Sequence, residues 1–394
     1  MEAGTIGKHS GGGAAANGAG EKPSPSKIIR RGRWLAVADV LSEILMLFAV
    51  VAGSFVLWQT FWTGVESSKT QSQQIESSGW FAPATNEDGS MKIAGPQAGD
   101  PPVLQQPAYG DLIGQLSIPR FGAKWQRNLV EGTDNMQLAR HGLGHYETSQ
   151  MPGAVGLYAI AGHRAGYGEP LAYINTLQKG DAIVTRTADY WFVYEYVSYK
   201  VVDKDDRTAL AAVPFDPSKT PTERLMALSS CEPRYYMGAG ETPYRWVAYA
   251  KLKYWAKTSD GTPKELVDSP KEGTATRFSV GSGGLVDGVA AKIGDLPTLL
   301  KHAAITWLFV VIAAAVAWRW PGVAKWKADK TAGKARTGLL VWIWRLQPGP
   351  LAIRVFLYAV LLVMFLCVMF QWVCPWAATS MPWLAASSNY VTIG

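Results

Sequence analysis

Three of the chain's five histidines and one of its three cysteines lie in a central stretch without long apolar runs: His141, His145, His163 and Cys231. Cys231 closes the run "LMALSS", and His163 follows the run "YAIAG". Such strand-to-loop junctions hold a side chain on a rigid frame and leave it reachable. A free thiol titrates near about 8.5, so a cysteine nucleophile needs an imidazole or other positive group beside it to react near neutral pH. One cysteine and one histidine at the ends of two strands of a barrel supply that pair. Acyl transfer also asks for a donor where negative charge builds on the carbonyl oxygen. Arg245 opens the run "RWVAYAKL" and returns close to Cys231 if the strands on either side of residues 232–244 pair. Spacing alone leaves Arg164, Arg224 and Arg234 as competitors. It also leaves the alternatives that Cys231 is a small buried residue and His163 a structural one.

Other constellations are weaker. His141 and His145 have the i, i+4 spacing of a helical zinc pair, but Gly142 and Gly144 between them oppose a helix. The stretch "DKDDRT" at 203–208 begins like a calcium loop, yet Thr208 stands where glycine is needed and Pro214 where a bidentate glutamate is needed. It reads as a solvated turn. Ser229 and Ser230 are poorer nucleophiles than the thiol beside them. The glycines of residues 281–284 lack the preceding strand and the Gly-Lys-Ser/Thr of a phosphate loop and read as linker. No metal or other cofactor is expected.

The elements that position these residues follow from the hydrophobic pattern. Between Asp111 and Trp255, short runs rich in Val, Ile, Tyr and Trp are broken by turn residues: "LIGQLSIP", "VGLYAIAG", "DAIVTRT", "YWFVYEYVSYKVV", "RLMALSSC" and "YRWVAYAKLKYW". So many short strands predict a closed β-barrel or sandwich. Short helices are expected over 133–141 and 170–177.

Outside this domain, residues 44–62, 303–318 and 355–373 are uncharged and close to the ~20 residues that a helix needs to cross a bilayer, which predicts three transmembrane helices. The first lacks a cleavage site and reads as an uncleaved anchor. Lys22, Lys27, Arg30, Arg31 and Arg33 precede it, and eight basic residues against Asp329 alone lie between the second and third. The positive-inside rule makes both segments cytoplasmic and places 63–302 and the end of the chain outside. The net charge of +7 is thus largely topological and points to lipid headgroups, not to nucleic acid. With one cysteine, the outside segment cannot form an internal disulfide. The expected organisation is a disordered cytoplasmic tail (1–35), an anchor (36–62), an extracytoplasmic stalk (63–109) and a catalytic domain (110–256). A linker (257–298), a second span (299–320), a basic cytoplasmic loop (321–352), a third span (353–374) and an outside tail (375–394) follow.

The ordered stretches "IGQLSIPRFG", "LARHGLGHYETSQMPGAVGLYAIAGHRAGYGEPLAYINTLQKGDAIV", "LMALSSCEPRY" and "YRWVAYAKL" resemble the sortases, most closely the class E housekeeping type of actinobacteria. The resemblance covers about residues 110–255. It implies a mainly β fold, a closed eight-stranded sortase-type barrel with short helices. It also implies a cysteine transpeptidase on the outer face of a Gram-positive cell membrane. The family's histidine falls on His163, its cysteine on Cys231 and its arginine on Arg245, with Arg234 the alternative. Cys231 would attack the Thr-Gly bond of an LPxTG-like or LAxTG-like sorting signal on a surface protein or pilin, and a peptidoglycan-precursor amine would resolve the thioacyl-enzyme. A pilin-polymerising enzyme and a catalytically silent membrane scaffold are the alternatives. The two C-terminal spans go beyond the single anchor common in that class.

Overall fold

The computed structural model describes residues 25–236, 241–267, 285–293, 295–318, 320–332, 343 and 345–388. The chain divides into two units, residues 1–49 with 322–346, and residues 50–321 with 347–394. The first contributes the start of helix α1 (Pro25–Leu57) and most of a basic helix, Pro321–Thr331. The second holds the barrel.

Ten strands are described: β1 (Ile93–Ala94), β2 (Leu112–Ser117), β3 (Gln126–Glu131), β4 (Leu143–His145), β5 (Gly156–Gly162), β6 (Ala182–Arg186), β7 (Tyr190–Asp203), β8 (Arg224–Glu232), β9 (Tyr244–Lys257) and β10 (Thr262–Pro263). Eight of them close into a barrel in the order β2-β3-β4-β5-β8-β9-β7-β6, with β6 pairing back onto β2. This is the expected eight-stranded closed barrel. Strand alternation divides its residues between two surfaces. Tyr158, Ile160, Met226, Leu228, Ala248 and Ala250 fill the interior with Leu116, Leu129, Ile183 and Phe192. Leu157, Ala159, Ala227, Val247 and Tyr249 face the other way and are covered by Ala209 and its neighbours. β5 and β8 are therefore buried on both faces, which is why their sequences read as nearly continuous apolar runs.

β3 and β4 did not stand out in the hydrophobic pattern. β3 reads "QRNLVE", and its Arg127 and Asn128 are buried. The partner that makes this possible is helix α2 (Thr63–Ser77), which continues α1 through a π-helical turn, Trp58–Trp62. The Asn128 backbone N–H donates to Gln71 Oε1 at 3.0 Å, and Asn128 Nδ2 donates to the Gln71 carbonyl at 2.9 Å. Ser67 Oγ donates to the Arg140 carbonyl at 3.1 Å.

Within the segment expected as a stalk, 63–109, the first fifteen residues form α2. The polar side chains of α2 face the barrel and are satisfied there, so a hydrophilic sequence forms a packed helix. Further along, β1 pairs in parallel with β10, and Arg224 binds Asp100 at 2.8 Å, so this stretch wraps the barrel. The linker expected over 257–298 carries β10 and the helices Lys264–Val267 and Leu285–Lys292, and residues 268–284 lie outside the described residues. So do residues 1–24 of the expected tail, most of residues 333–344 and residues 389–394. The start of the expected outside tail continues the third apolar helix as Cys374–Ser380, and Pro382–Ser388 forms a separate short helix.

The helix expected over 133–141 is α3 (Asn135–His141), capped by Asp134, whose carboxylate accepts from the Met136 and Gln137 backbone N–H groups at 2.6 and 3.1 Å. Over 170–177 only a 3-10 turn, Ile174–Thr176, forms. Leu171, Ile174 and Leu177 are drawn into the core there, and the backbone bonds run from i to i−3.

Among the described residues, three helices are long and apolar enough to cross a membrane: Val37–Ser77, Leu296–Ala317 and Leu351–Ser380. The first and third contain the corresponding apolar run, and the second covers its run up to Ala317, with Trp318 as the extended C-cap. Trp58, Trp62 and Val65 pack with Leu296, Phe370, Cys374 and Ala378, so the three meet around the π-helical turn.

Candidate active site

Cys231 is the penultimate residue of β8, and its Cα partner on antiparallel β9 is Arg245. Residues paired in this way lie about 4.5–5.5 Å apart at Cα. On the other side of β8, β5 runs parallel with Ala161 beside Ser229. The same register carried two residues further sets His163, just past the end of β5, level with Cys231. Strand alternation puts all three on the surface opposite the barrel interior. Between them Ser230 faces inward and donates to the Gly162 carbonyl at 2.7 Å, locking the two strand ends together. Gly162 is required at this crossing, because a Cβ there would lie 2.7 Å from Leu143 and 3.0 Å from Leu171.

Cys231 is partly exposed, whereas His163 is 7 % exposed. Burial drives the His163 pKa down to about 4, so the imidazole is neutral near neutral pH. His163 Nε2 has no hydrogen-bond partner among the described residues. Its ring packs against Tyr167 with centroids 4.7 Å apart.

The competing arginines have other partners. Arg164 Nη1 donates to the Cys231 carbonyl at 3.1 Å and to Glu232, Nη2 reaches Asn175 at 3.2 Å, and the guanidinium lies over Trp246. It fastens the end of β8. Arg224 sits at the far end of that strand. Arg234 pairs with Glu169 at 2.5 Å and lies over Tyr173 and Tyr235. Arg245 donates to the Thr242 carbonyl and hydroxyl, both at 3.0 Å, and lies 3.5 Å from Glu241. It lines a groove of about 350 Å³ together with Tyr146, Ser149, Asp203, Arg207 and Ser229. Of the connection that follows Cys231, residues 237–240 lie outside the described residues.

Sequence reasoning named neither Tyr146 nor the His145 relay as part of this region. Burial pushes the Tyr146 phenol above its usual range, and the residue hydrogen-bonds Ser229 beside Arg245. The signal for it was the aromatic in "GHY", one residue past a strand end. His145 is fully buried, with Nδ1 2.9 Å from Glu131 Oε2 and Nε2 2.9 Å from Ser149 Oγ. That order of groups resembles a Ser-His-carboxylate triad. However, Nε2 also meets the Gln150 carbonyl at 3.0 Å, and Ser149 Oγ accepts from the Ala159 N–H at 3.0 Å. His145 thus ties Glu131, Ser149 and the Gln150 carbonyl together below the surface, and the relay fixes the turn carrying Tyr146. His141 points elsewhere, 3.2 Å from Gln74, so the two histidines do not converge.

A closed eight-stranded barrel with a partly exposed thiol near the end of one strand and a buried imidazole just past the end of its parallel neighbour holds the groups that cysteine acyl-transfer chemistry uses. Residues 116–253 match the sortase domain family. Among curated relatives, sortase SrtE2 of Streptomyces coelicolor is 29% identical over 247 residues, 60% of this chain and 91% of its own length. Sortase SrtE1 of the same organism is 27% identical over 243 residues, 60% of this chain and 63% of its own length. Among solved structures, the SrtA sortase from Actinomyces oris is 34% identical, covering 43% of this chain and 96% of that one, with a TM-score of 0.40. The chain belongs to the sortase family, with relatives of the E type, and is a cysteine transpeptidase.

Proposed function

We propose that this sortase cleaves an LPxTG-like or LAxTG-like sorting signal between Thr and Gly and transfers the acyl group to a peptidoglycan-precursor amine. The observation that carries the reading is the pairing of Cys231 with Arg245 across β8 and β9, together with the parallel register of β5 and β8, which supports His163, one residue past β5, as the third member of the site. In the resting enzyme the neutral His163 takes the Cys231 proton as sulfur attacks the threonine carbonyl. Arg245 turns from the Thr242 carbonyl to donate to the oxyanion. The imidazolium then gives its proton to the departing glycine amine, and a thioester remains on Cys231. The acceptor amine attacks that thioester, His163 takes its proton, and sulfur leaves and is reprotonated. The buried imidazole suits this exchange because it enters the cycle without a proton.

The flanking helices and their basic segments support a multi-pass membrane protein with the barrel on the extracytoplasmic face, where the sorting signal and the wall precursor meet. The test is ligation by the full-length protein in detergent, with LAxTG and LPxTG peptides and an amine acceptor. Product is expected from the native protein and none from Cys231→Ala. Product from that variant, or none from the native protein with either peptide, would overturn the reading.

A further inference from the structure

The loop that carries His163 rests on the membrane anchor. Tyr167, whose ring packs on the imidazole, is buried and sits in the left-handed region at φ 53°, a conformation that a non-glycine residue holds only when its surroundings fix it. One fixing contact comes from the anchor helix. The Tyr167 backbone N–H donates to Thr63 Oγ1 at 2.9 Å, and Thr63 Oγ1 donates its own proton to the Gln59 carbonyl at 2.7 Å. Thr63 is 1 % exposed, and its hydroxyl is used in both directions. Next to it, the loop backbone lies flat on the helix at Gly166. This glycine has φ +72°, and a Cβ there would stand 3.0 Å from Gln59 Nε2 and 3.2 Å from the Gln59 carbonyl.

The helical turn that presents Thr63 is itself gripped from the other side. Trp62 lies 5.5 Å from Phe370, ring to ring, and Val65 joins Cys374 and Ala378 of the C-terminal membrane helix in the same cluster. Packed contacts therefore run from the C-terminal helix to Trp62, through Thr63 to Tyr167, and on to His163.

We propose that Thr63 is a positioning residue for the catalytic histidine, and that the C-terminal helix acts by holding the turn that carries it. This rests on the reading of His163 as the acid–base group. Thr63 touches no substrate; it fixes the loop backbone and with it the Tyr167 ring that sets the imidazole plane. The last span thereby gains a role in turnover as well as in anchoring.

The experiment is steady-state transpeptidation by the full-length protein in detergent micelles, comparing native, Thr63→Val, Thr63→Ser, Phe370→Leu and His163→Ala forms, with thermal melting of each. Thr63→Val is expected to lower kcat about five- to tenfold with KM within about twofold, as for an interaction that matters only at the transition state. Thr63→Ser, which keeps the hydroxyl, is expected to stay within about twofold of native. Phe370→Leu is expected to lower kcat by a smaller factor at unchanged KM. Native kcat in Thr63→Val, or an equal loss in Thr63→Ser, overturns the proposal. If Thr63→Val does not accumulate, Phe370→Leu decides it, since an unchanged kcat there removes the link through the helix. Native activity in His163→Ala would instead overturn the acid–base reading, whereas an inactive His163→Ala beside a fully active Thr63→Val overturns only the role of Thr63.

Discussion

His163 is buried and Cys231 is not, and that asymmetry sets the pH behaviour of the site. Burial lowers the histidine pKa to about 4 from an unfolded value near about 6.5. Between those values the unfolded chain binds a proton that the folded protein does not. The stability tied to a neutral His163 is thus complete above about pH 6.5 and lost as pH falls toward 4, by up to about 3 kcal/mol. Unfolding midpoints of His163→Gln, compared with native protein from pH 7 to 4.5, should show this acid-side slope flattened. Since the imidazole must be neutral to take the thiol proton, the acid limb of kcat/KM should likewise fall near pH 4 and not near 6.5. Arg245→Ala should lower kcat about 10²–10³-fold, the usual cost of losing an oxyanion donor, while Arg234→Ala should act mainly through the Glu169 contact. The placement of Cys231 and His163 at strand ends was legible because each ends an apolar run. The partners that favour the proposed Arg245 over Arg164 and Arg234 were not, because they depend on strand register and on ion pairs with Glu232 and Glu169 that no spacing rule contains.

At the scale of elements, the hydrophobic pattern showed those strands whose two faces are apolar or alternate, and missed those stabilised by polar partners. β5 and β8 announced themselves through "GLYAIAG" and "RLMALSSC". β3 did not, because the Gln71 side chain completes the bonding of Asn128, and β4 is only three residues long. For the same reason α2 read as a stalk: its Ser67, Ser68 and Gln71 are buried against a polar surface, and helical polarity alone does not tell solvent from a satisfied interface. Gln71→Leu should leave the Asn128 N–H buried without its acceptor. The expected loss is about 1–3 kcal/mol, visible as a lower melting temperature of the full chain. An unchanged melting temperature would mean that α2 is not bonded to the barrel in this way.

For the whole molecule, the three apolar runs were evident from length and charge alone, but their packing around Trp58, Trp62 and Val65 was not, since every run looks alike to a hydropathy window. The proposed orientation, with basic segments inside and barrel outside, predicts that a membrane-impermeant maleimide labels Cys231 in intact cells. Cys367 and Cys374 are buried and should stay unlabelled until the protein is unfolded. Labelling of Cys231 only after permeabilisation would reverse the topology. In the proposed reaction Cys231 carries the acyl group of a cleaved sorting signal. Mass spectrometry of the full-length protein mixed with an LAxTG or LPxTG peptide, without acceptor, tests it most directly. A hydroxylamine-labile adduct of the peptide truncated after threonine, mapped to Cys231, is the expected result. Turnover with no adduct, or an adduct on any other residue, would contradict it.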